Sequence, residues 1–482
     1  MSVRIAALLA LTMVAAACQG AGEVTTVTSP VPTQVDVSTS SQDDTTTTTT
    51  GITTTSTTAT VASPDPVDLI FTGGSIVTMD PNIGTVEAIA IDGATIVAVG
   101  SDSDVAWYQG SETVVIDLKG RTVNPGFVDA HTHILTDTDS LANGQSLALE
   151  NGITTLAEAF TNQGRLDMFS EAAASGELRI RTSMYMVRTD NCGIDQGLWY
   201  EAYPPDEVLG ERLRVAGVKI FADGGTCGPL AASEPFLEGV EVSEPFYDLD
   251  TLTSYIRDAN DRGYQIAIHA QGDLAVAEVQ QAYATVLAGA PNDLRHRIDH
   301  NAIVTEDIAS RYGELGLVPV LFGASAACSI DAPWTDFYKE NGEEPGEIVA
   351  ANPGLVVAWH GDDPWAPPVS PILELFSLVT RGAVAEDGSI CQPPDWMAGE
   401  GVSVDQGLAM MTTGSAYAIR QDDVVGSLTP GKFADLVVLS DNLLAVPPEA
   451  IPGIEVLMTM VGGVTEFCAL GAETWCPGSV TP

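Results

Sequence analysis

Residues 124–420 alternate short apolar strands with helical stretches, and strand-rich segments flank them on both sides. Histidines, moreover, cluster just after several of those strands. Together these observations predict an α/β protein: a (β/α)8 TIM barrel with a small β-sandwich domain built from both ends of the folded chain. Repeated strand-then-helix units favour the barrel over a doubly wound sheet, and barrel sites form where strands end.

The chain opens with Arg4, the apolar run Ile5 to Ala17, and then Cys18. A charged start and an apolar stretch too short to cross a bilayer describe a signal peptide over 1–18. Ala15-Ala16-Ala17-Cys18 also resembles a bacterial lipobox, in which Cys18 is lipidated and becomes the new N-terminus. Leu is commoner than Ala at the first of those positions. The expectation is an exported bacterial lipoprotein on the cell-surface or periplasmic face of the membrane, with plain secretion as the alternative. Residues 19–66 are Thr, Ser, Val and Pro with almost no large apolar side chain. They read as a disordered Thr/Ser-rich linker that tethers a folded domain.

Order is expected from Val67, with strands up to Val123 and turns at Gly73-Gly74, Asp92-Gly93 and Lys119-Gly120. This is the first part of the sandwich, 67–123. Residues 421–470 form the second part, with strands around 434–439 and 456–461 and a turn at Gly462-Gly463, and 471–482 are a C-terminal tail. Inside the barrel, strands are expected near 127–130, 154–157, 180–184, 218–221, 265–268, 296–298, 318–321 and 355–358. Helices are expected over 250–262 and 274–287.

The 482 residues include 65 acidic and 19 basic ones, for a net charge of -46. Such a surface repels phosphate backbones and anionic headgroups, so nucleic acid is not a partner and membrane contact would come through a lipid anchor only. A hydrophobic fraction of 45% supplies a sizeable core.

The first barrel strand ends in Val128-Asp129-Ala130-His131-Thr132-His133. Residues two apart on a strand point to the same side, so His131 and His133 present two imidazoles to one point, which is what a divalent metal needs. His269 follows the strand at 265–268, and His300 follows Arg297-Ile298-Asp299. Asp362 and Asp363 stand before Pro364, where they could also simply begin a turn. Only Lys119, Lys219, Lys339 and Lys432 are lysines, and Lys219 has apolar neighbours. A lone buried histidine is usually a satisfied core residue; His296 and His360 are read that way, because His300 and Asp362 beside them fit a metal better. For His131, His133, His269 and His300 the metal reading prevails.

From Asp68 to about Phe467 the chain resembles the amidohydrolase superfamily of metal-dependent hydrolases. The stretch from Asn124 to His133 is similar to that family's first-strand metal motif, and Gly426 to Leu439 to its return into the small β domain. Ile268-His269-Ala270-Gln271-Gly272-Asp273 and Arg297-Ile298-Asp299-His300 resemble the branch that includes N-substituted formamide deformylases. The resemblance implies one or two divalent ions, zinc foremost. His131 and His133 would hold the more buried ion, and His269 and His300 the second. Asp362 would touch a metal and take a proton from water. Lys219 matches a lysine that in many relatives is carboxylated and bridges two metals; burial would supply the neutral amine that CO2 requires. Its plainer reading is a lysine snorkelling from a strand end.

Where that branch reads Ser-Asp before the proline, this chain has His360-Gly361-Asp362-Asp363-Pro364. Alignment on Pro364 selects Asp362, with Asp363 as the alternative base. The stretch between His133 and Lys219 is short for the branch. Asp223 and Arg381 are further candidates for substrate contact, or equally for ordinary barrel ion pairs. The implied activity is hydrolysis of a C–N bond in a small-molecule amide, formamide or cyclic amide. The alternatives are a non-catalytic, surface-anchored ligand-binding protein that keeps the barrel, and a relative acting on phosphate esters.

Besides Cys18 there are six cysteines. An even number outside the cytoplasm points to disulfides. Cys468–Cys476 is the natural local pair, and Cys192–Cys227 with Cys328–Cys391 is one assignment of the others. No CxxC occurs, which argues against a thiolate zinc site.

Overall fold

The computed structural model describes residues 64–478 apart from 330, 343, 344 and 367. The expected signal peptide, Cys18 and most of the linker lie outside the described residues. Among the described residues no helix is long and apolar enough to cross a membrane.

Eight parallel strands run Phe127–Thr132, Ile153–Thr161, Arg181–Val187, Leu213–Phe221, Gln265–Ala270, Arg297–His300, Val318–Phe322 and Ala358–His360. Each pairs with the next in chain order, the pattern of a (β/α)8 barrel. The apolar runs in strands such as Gln265–Ala270 and Val318–Phe322 are what strands covered on both faces require. The ring is completed just past the strand ends: Asp362 N donates to His131 O at 3.2 Å, and His133 N donates to Asp363 O at 2.8 Å. The helices expected near 250 and 274 are Leu249–Asn260 and Asp273–Leu287. The Asp248 carboxylate caps the first by accepting from Thr251 N.

The eighth strand differs from expectation. Leu355 to Val357 are apolar but carry no ladder; the strand begins at Ala358 and ends at His360. The preceding Gly354 turns with φ 86°, and the segment after it is still climbing from helix Pro345–Ala351 to the sheet. Its apolar side chains are buried or half-buried without pairing, and the strand they lead into ends at His360.

Two further sheets form the small domain. One has four strands, Leu69–Thr72, Ala88–Asp92, Thr95–Gly100 and Val114–Asp117. The other joins Ser75–Val77, Thr85–Val86 and Thr122–Pro125 to Leu436–Leu439, Val456–Val461 and Val464–Cys468, so both ends of the folded chain share it. Phe71, Ile89 and Ile116 of the first sheet pack on Ile76, Val123, Leu436 and Met458 of the second. Three disulfides are present: Cys192–Cys227, Cys328–Cys391 and Cys468–Cys476.

The sandwich is locked to the barrel by buried charge. Arg181, opening the third barrel strand, makes a bidentate pair with Asp435, Nε to Oδ2 at 2.6 Å and Nη2 to Oδ1 at 3.1 Å. Its guanidinium lies 3.6 Å from the Phe433 ring centroid, and Gly462 N donates to the same carboxylate at 2.7 Å. Removing one partner strands a buried charge, so Asp435→Ala is expected to cost about 3–5 kcal/mol. The double change Arg181→Met with Asp435→Leu is expected to recover most of that loss, and denaturant melts of the three proteins read both effects.

Candidate metal centre

His131 and His133 end the first barrel strand, and the closing hydrogen bonds bring Asp362 onto them. Asp362 Oδ1 lies 3.4 Å from His131 Nε2 and 3.5 Å from His133 Nε2. The ligand atoms of His131, His133 and Asp362 all fall within 4.8 Å of one another, close enough to converge on one cation. The other nitrogen of His131, Nδ1, is 2.8 Å from Asp299 Oδ2. A carboxylate on Nδ1 fixes the tautomer and turns the Nε2 lone pair toward the shared point. Asp362 has a left-handed backbone, φ 55°, as does His300 at 83°. Strain of this kind gathers at functional sites.

Asp362 and Asp363 have different surroundings. Asp363 is fully buried, neither of its carboxylate oxygens has a hydrogen-bond partner, and burial together with the charge of Asp362 pushes its pKa up to about 7. A Cβ on residue 361 would stand 2.7 Å from Asp363 Oδ2, so glycine at 361 accompanies the aspartate at 363. Asp362 is also raised by burial, but the hydrogen bond from His131 and the surrounding imidazoles hold it below the usual carboxylate range.

His269 and His300 stand beside this group. The ring centroids of His131 and His300 are 4.6 Å apart, and those of His269 and His300 are 4.4 Å apart. His269 Nε2 faces Gly224 O at 2.8 Å, so that bond engages Nε2 and not Nδ1. Burial, assisted by Lys219, brings the His269 pKa down to about 3. Burial and the neighbouring imidazoles depress His300 as well. Both rings are therefore neutral at ordinary pH, the form that binds a metal.

Lys219 is fully buried on the fourth strand. Its Nζ lies 3.2 Å from Asp299 Oδ2 and 3.3 Å from His131 Nδ1, and burial brings its pKa down to about 8. Burial alone would raise Asp299, yet Arg297 and Lys219 hold it well below the usual carboxylate range. The amine thus has a resident partner in Asp299.

The two substrate-contact candidates each make local hydrogen bonds. Asp223 is buried and accepts from Ala231 N, Gln271 N and Gly272 N, at 3.1, 3.0 and 2.9 Å. It clamps the loop after the fourth strand to the end of the fifth, behind His269. Arg381 follows helix Pro371–Thr380 with φ 56°, its side chain donating to Ser377 O of that helix and its carbonyl accepting from Ser325. It is buried there.

Three residues that the sequence reading did not choose stand beside the group. Asp299 is the first, and Glu158 on the second strand is the next, 3.7 Å from His133 Nδ1. The third is His360, whose ring lies 5.1 Å from that of His131 and 4.7 Å from that of His300. His296, by contrast, is a satisfied core residue: Nδ1 accepts from Ile266 N at 3.1 Å and Nε2 meets Asn260 Oδ1 at 3.0 Å. A cavity of about 1150 Å³ lined by Leu355, Val357 and Met410 lies elsewhere, and none of the histidines lines it.

Comparison with known proteins follows the geometry. Protein LONG AFTER FAR-RED 3 of Arabidopsis thaliana is 25% identical over 413 residues, covering 80% of this chain and 68% of that protein. N-substituted formamide deformylase of Arthrobacter pascens is 24% identical over 339 residues, covering 67% of this chain and 58% of its own length. The fold matches the crystal structure of an uncharacterized metal-dependent hydrolase from Pyrococcus horikoshii OT3 with a TM-score of 0.64 at 18% identity, over 79% of this chain and 99% of that one. The model of the amidohydrolase family matches residues 136–467, beginning just past His133. With that match over most of its length, the chain belongs to the amidohydrolase family.

Proposed function

We propose that the protein is a metal-dependent amidohydrolase that hydrolyses a C–N bond in a small amide, formamide or cyclic amide. The observation that carries this reading is the convergence of His131 Nε2, His133 Nε2 and Asp362 Oδ1, with Asp299 holding the far side of His131. The donor set suits a divalent ion such as zinc: two imidazoles, of which His131 is held toward the neutral form by burial, and a carboxylate held ionised. The name of the deformylase relative supports a C–N bond as the target.

When bound, such an ion acidifies water and polarises a carbonyl. The protein's part is the rest. His131, His133 and Asp362 would hold one ion; His269 and His300 would hold a second. Asp362 takes the proton of the attacking water and passes it to the departing nitrogen. Phe221, its ring 5.0 Å from that of His269, and Phe322, 5.2 Å from His360, flank the centre with apolar surface and exclude water from two sides. Two-ion occupancy with carboxylated Lys219 requires its Nζ to leave Asp299; a single ion leaves that pair intact. The Lys219–Asp299 contact favours the single-ion state as a specific second reading.

The N-terminal sequence supports export and anchoring through Cys18, with the Thr/Ser-rich linker as tether. On that reading Cys18→Ser releases the protein from the membrane fraction into the medium, and unchanged fractionation would count against the anchor.

Metal analysis of the purified protein is expected to give one or two equivalents of zinc or a similar ion. Chelation should abolish amide hydrolysis and added zinc or cobalt should restore it; turnover indifferent to chelation would sink the mechanism. Asp362→Asn is expected to lower kcat/KM by about 10²–10⁴-fold, read on any amide the wild type hydrolyses. Asp299→Asn removes the anion from His131 Nδ1 and is expected to weaken metal binding about 10–100-fold in a chelator competition.

A further inference from the structure

His360 is the last residue of the eighth barrel strand and is completely buried. Neither of its ring nitrogens has a hydrogen-bond partner. An imidazole carries one donor and one acceptor, and leaving a buried polar group unpaired costs about 1–3 kcal/mol. His296 shows how this fold treats a histidine used only for packing, since both of its nitrogens are satisfied and its ring stacks on Tyr283. His360 has the opposite environment. Phe322 covers one side, and His131 and His300 face it on others.

The spacings point the same way. Two imidazoles on one tetrahedral ion, with metal–nitrogen bonds of about 2 Å, hold their ring centroids roughly 5 Å apart. His131 and His133 are 5.3 Å apart, His131 and His300 4.6 Å. His360 stands at 5.1 Å from His131 and 4.7 Å from His300, inside the same range. Its position, two residues before Asp362 on the strand that closes the barrel, directs it to the same centre.

We propose that His360 is an additional imidazole ligand of the metal centre, which makes the site histidine-rich and selective for zinc, cobalt or a similar first-row ion over magnesium or calcium. The inference rests on the metal-hydrolase reading above. With His360 the centre offers five imidazoles, those of His131, His133, His269, His300 and His360, beside the ionised Asp362, and a donor set so rich in nitrogen favours borderline cations, because hard ions take oxygen ligands.

The test uses the mature protein and reads the metal directly. Wild type, His360→Ala, His360→Gln and the control His296→Asn are loaded with cobalt(II), and visible absorption and chelator-competition affinity are recorded. The expected result is a changed cobalt spectrum and an affinity loss of at least tenfold in both His360 variants, with the control like wild type. Circular dichroism identifies any variant that has failed to fold, and the glutamine variant, closer in size, is read where alanine is too disruptive. Wild-type spectrum and affinity in a folded His360 variant overturn the proposal while leaving the hydrolase reading intact. A change confined to KM for an amide, with metal binding unaltered, overturns it equally and places His360 against substrate. Wild type that binds no ion overturns both readings together.

Discussion

The centre depends on how the barrel closes. Its first and eighth strands come from segments more than two hundred residues apart, and the two bonds between residues 131–133 and 362–363 join them just beyond the ladder. Thr132 Oγ1 adds a third bond to Asp363 O, at 3.1 Å. These contacts set the height of Asp362 against His131 and His133, and so decide whether three ligand atoms meet. The cost is a left-handed aspartate, about 1–3 kcal/mol. Only a fully packed barrel can over-determine such a residue. Trp359, buried immediately before His360, and the clusters of Val128, Ala358 and Ala416 behind the strands provide that packing.

Charge is organised around the same closure. Asp299 is ringed by Arg297, Lys219 and His131, and it stays ionised despite complete burial. Asp129, Asp363 and Glu374 are likewise buried between these strands, and burial together with neighbouring carboxylates pushes them toward the neutral acid. Opposite shifts of neighbouring carboxyls are how one interior holds an anion where cations can meet it and avoids one where they cannot. A chain with a net charge of -46 thus carries its excess outside, where water screens it.

Legibility from sequence followed the physics of each signal. Strand existence was readable, because most of the runs covered on both faces hold several apolar residues in a row. The convergence of His131 with His133 was readable too, because a period of two is a geometric fact of strands. The same rule applied to Arg297 and Asp299 would have placed both on one face behind the first-strand histidines, so that signal was present and unused. His360 was passed over because a lone buried histidine is usually a core residue and Asp362 beside it fits a metal better. Leu355 to Val357 look like a strand but are an unpaired connection that leads into it. Asp223 could not be assigned from its type, because a carboxylate that caps backbone amides and one that meets a substrate have the same letter. The cysteine pairing outside the local Cys468–Cys476 loop needed the fold, since only the fold brings Cys192 to Cys227 and Cys328 to Cys391.

Those two longer disulfides bear on function through their position. Cys192 follows the third barrel strand and Cys227 the fourth, so the bond staples two loops over the end where the histidines gather. Cys328 follows the seventh strand, and Cys391 belongs to the hairpin after helix Pro371–Thr380. Loops at a barrel mouth are its most adaptable parts, and ordering them on binding normally costs conformational entropy. Covalent staples remove much of that cost before substrate arrives. Such bonds persist only in oxidising surroundings, which agrees with the export proposed from the N-terminus. Shape at the mouth then falls to fixed side chains, Phe160 and Phe221 on one side and Phe322 on the other. Those rings lower the local dielectric, so each charge that Asp299, Lys219 and Asp362 place at the centre acts more strongly than it would in water.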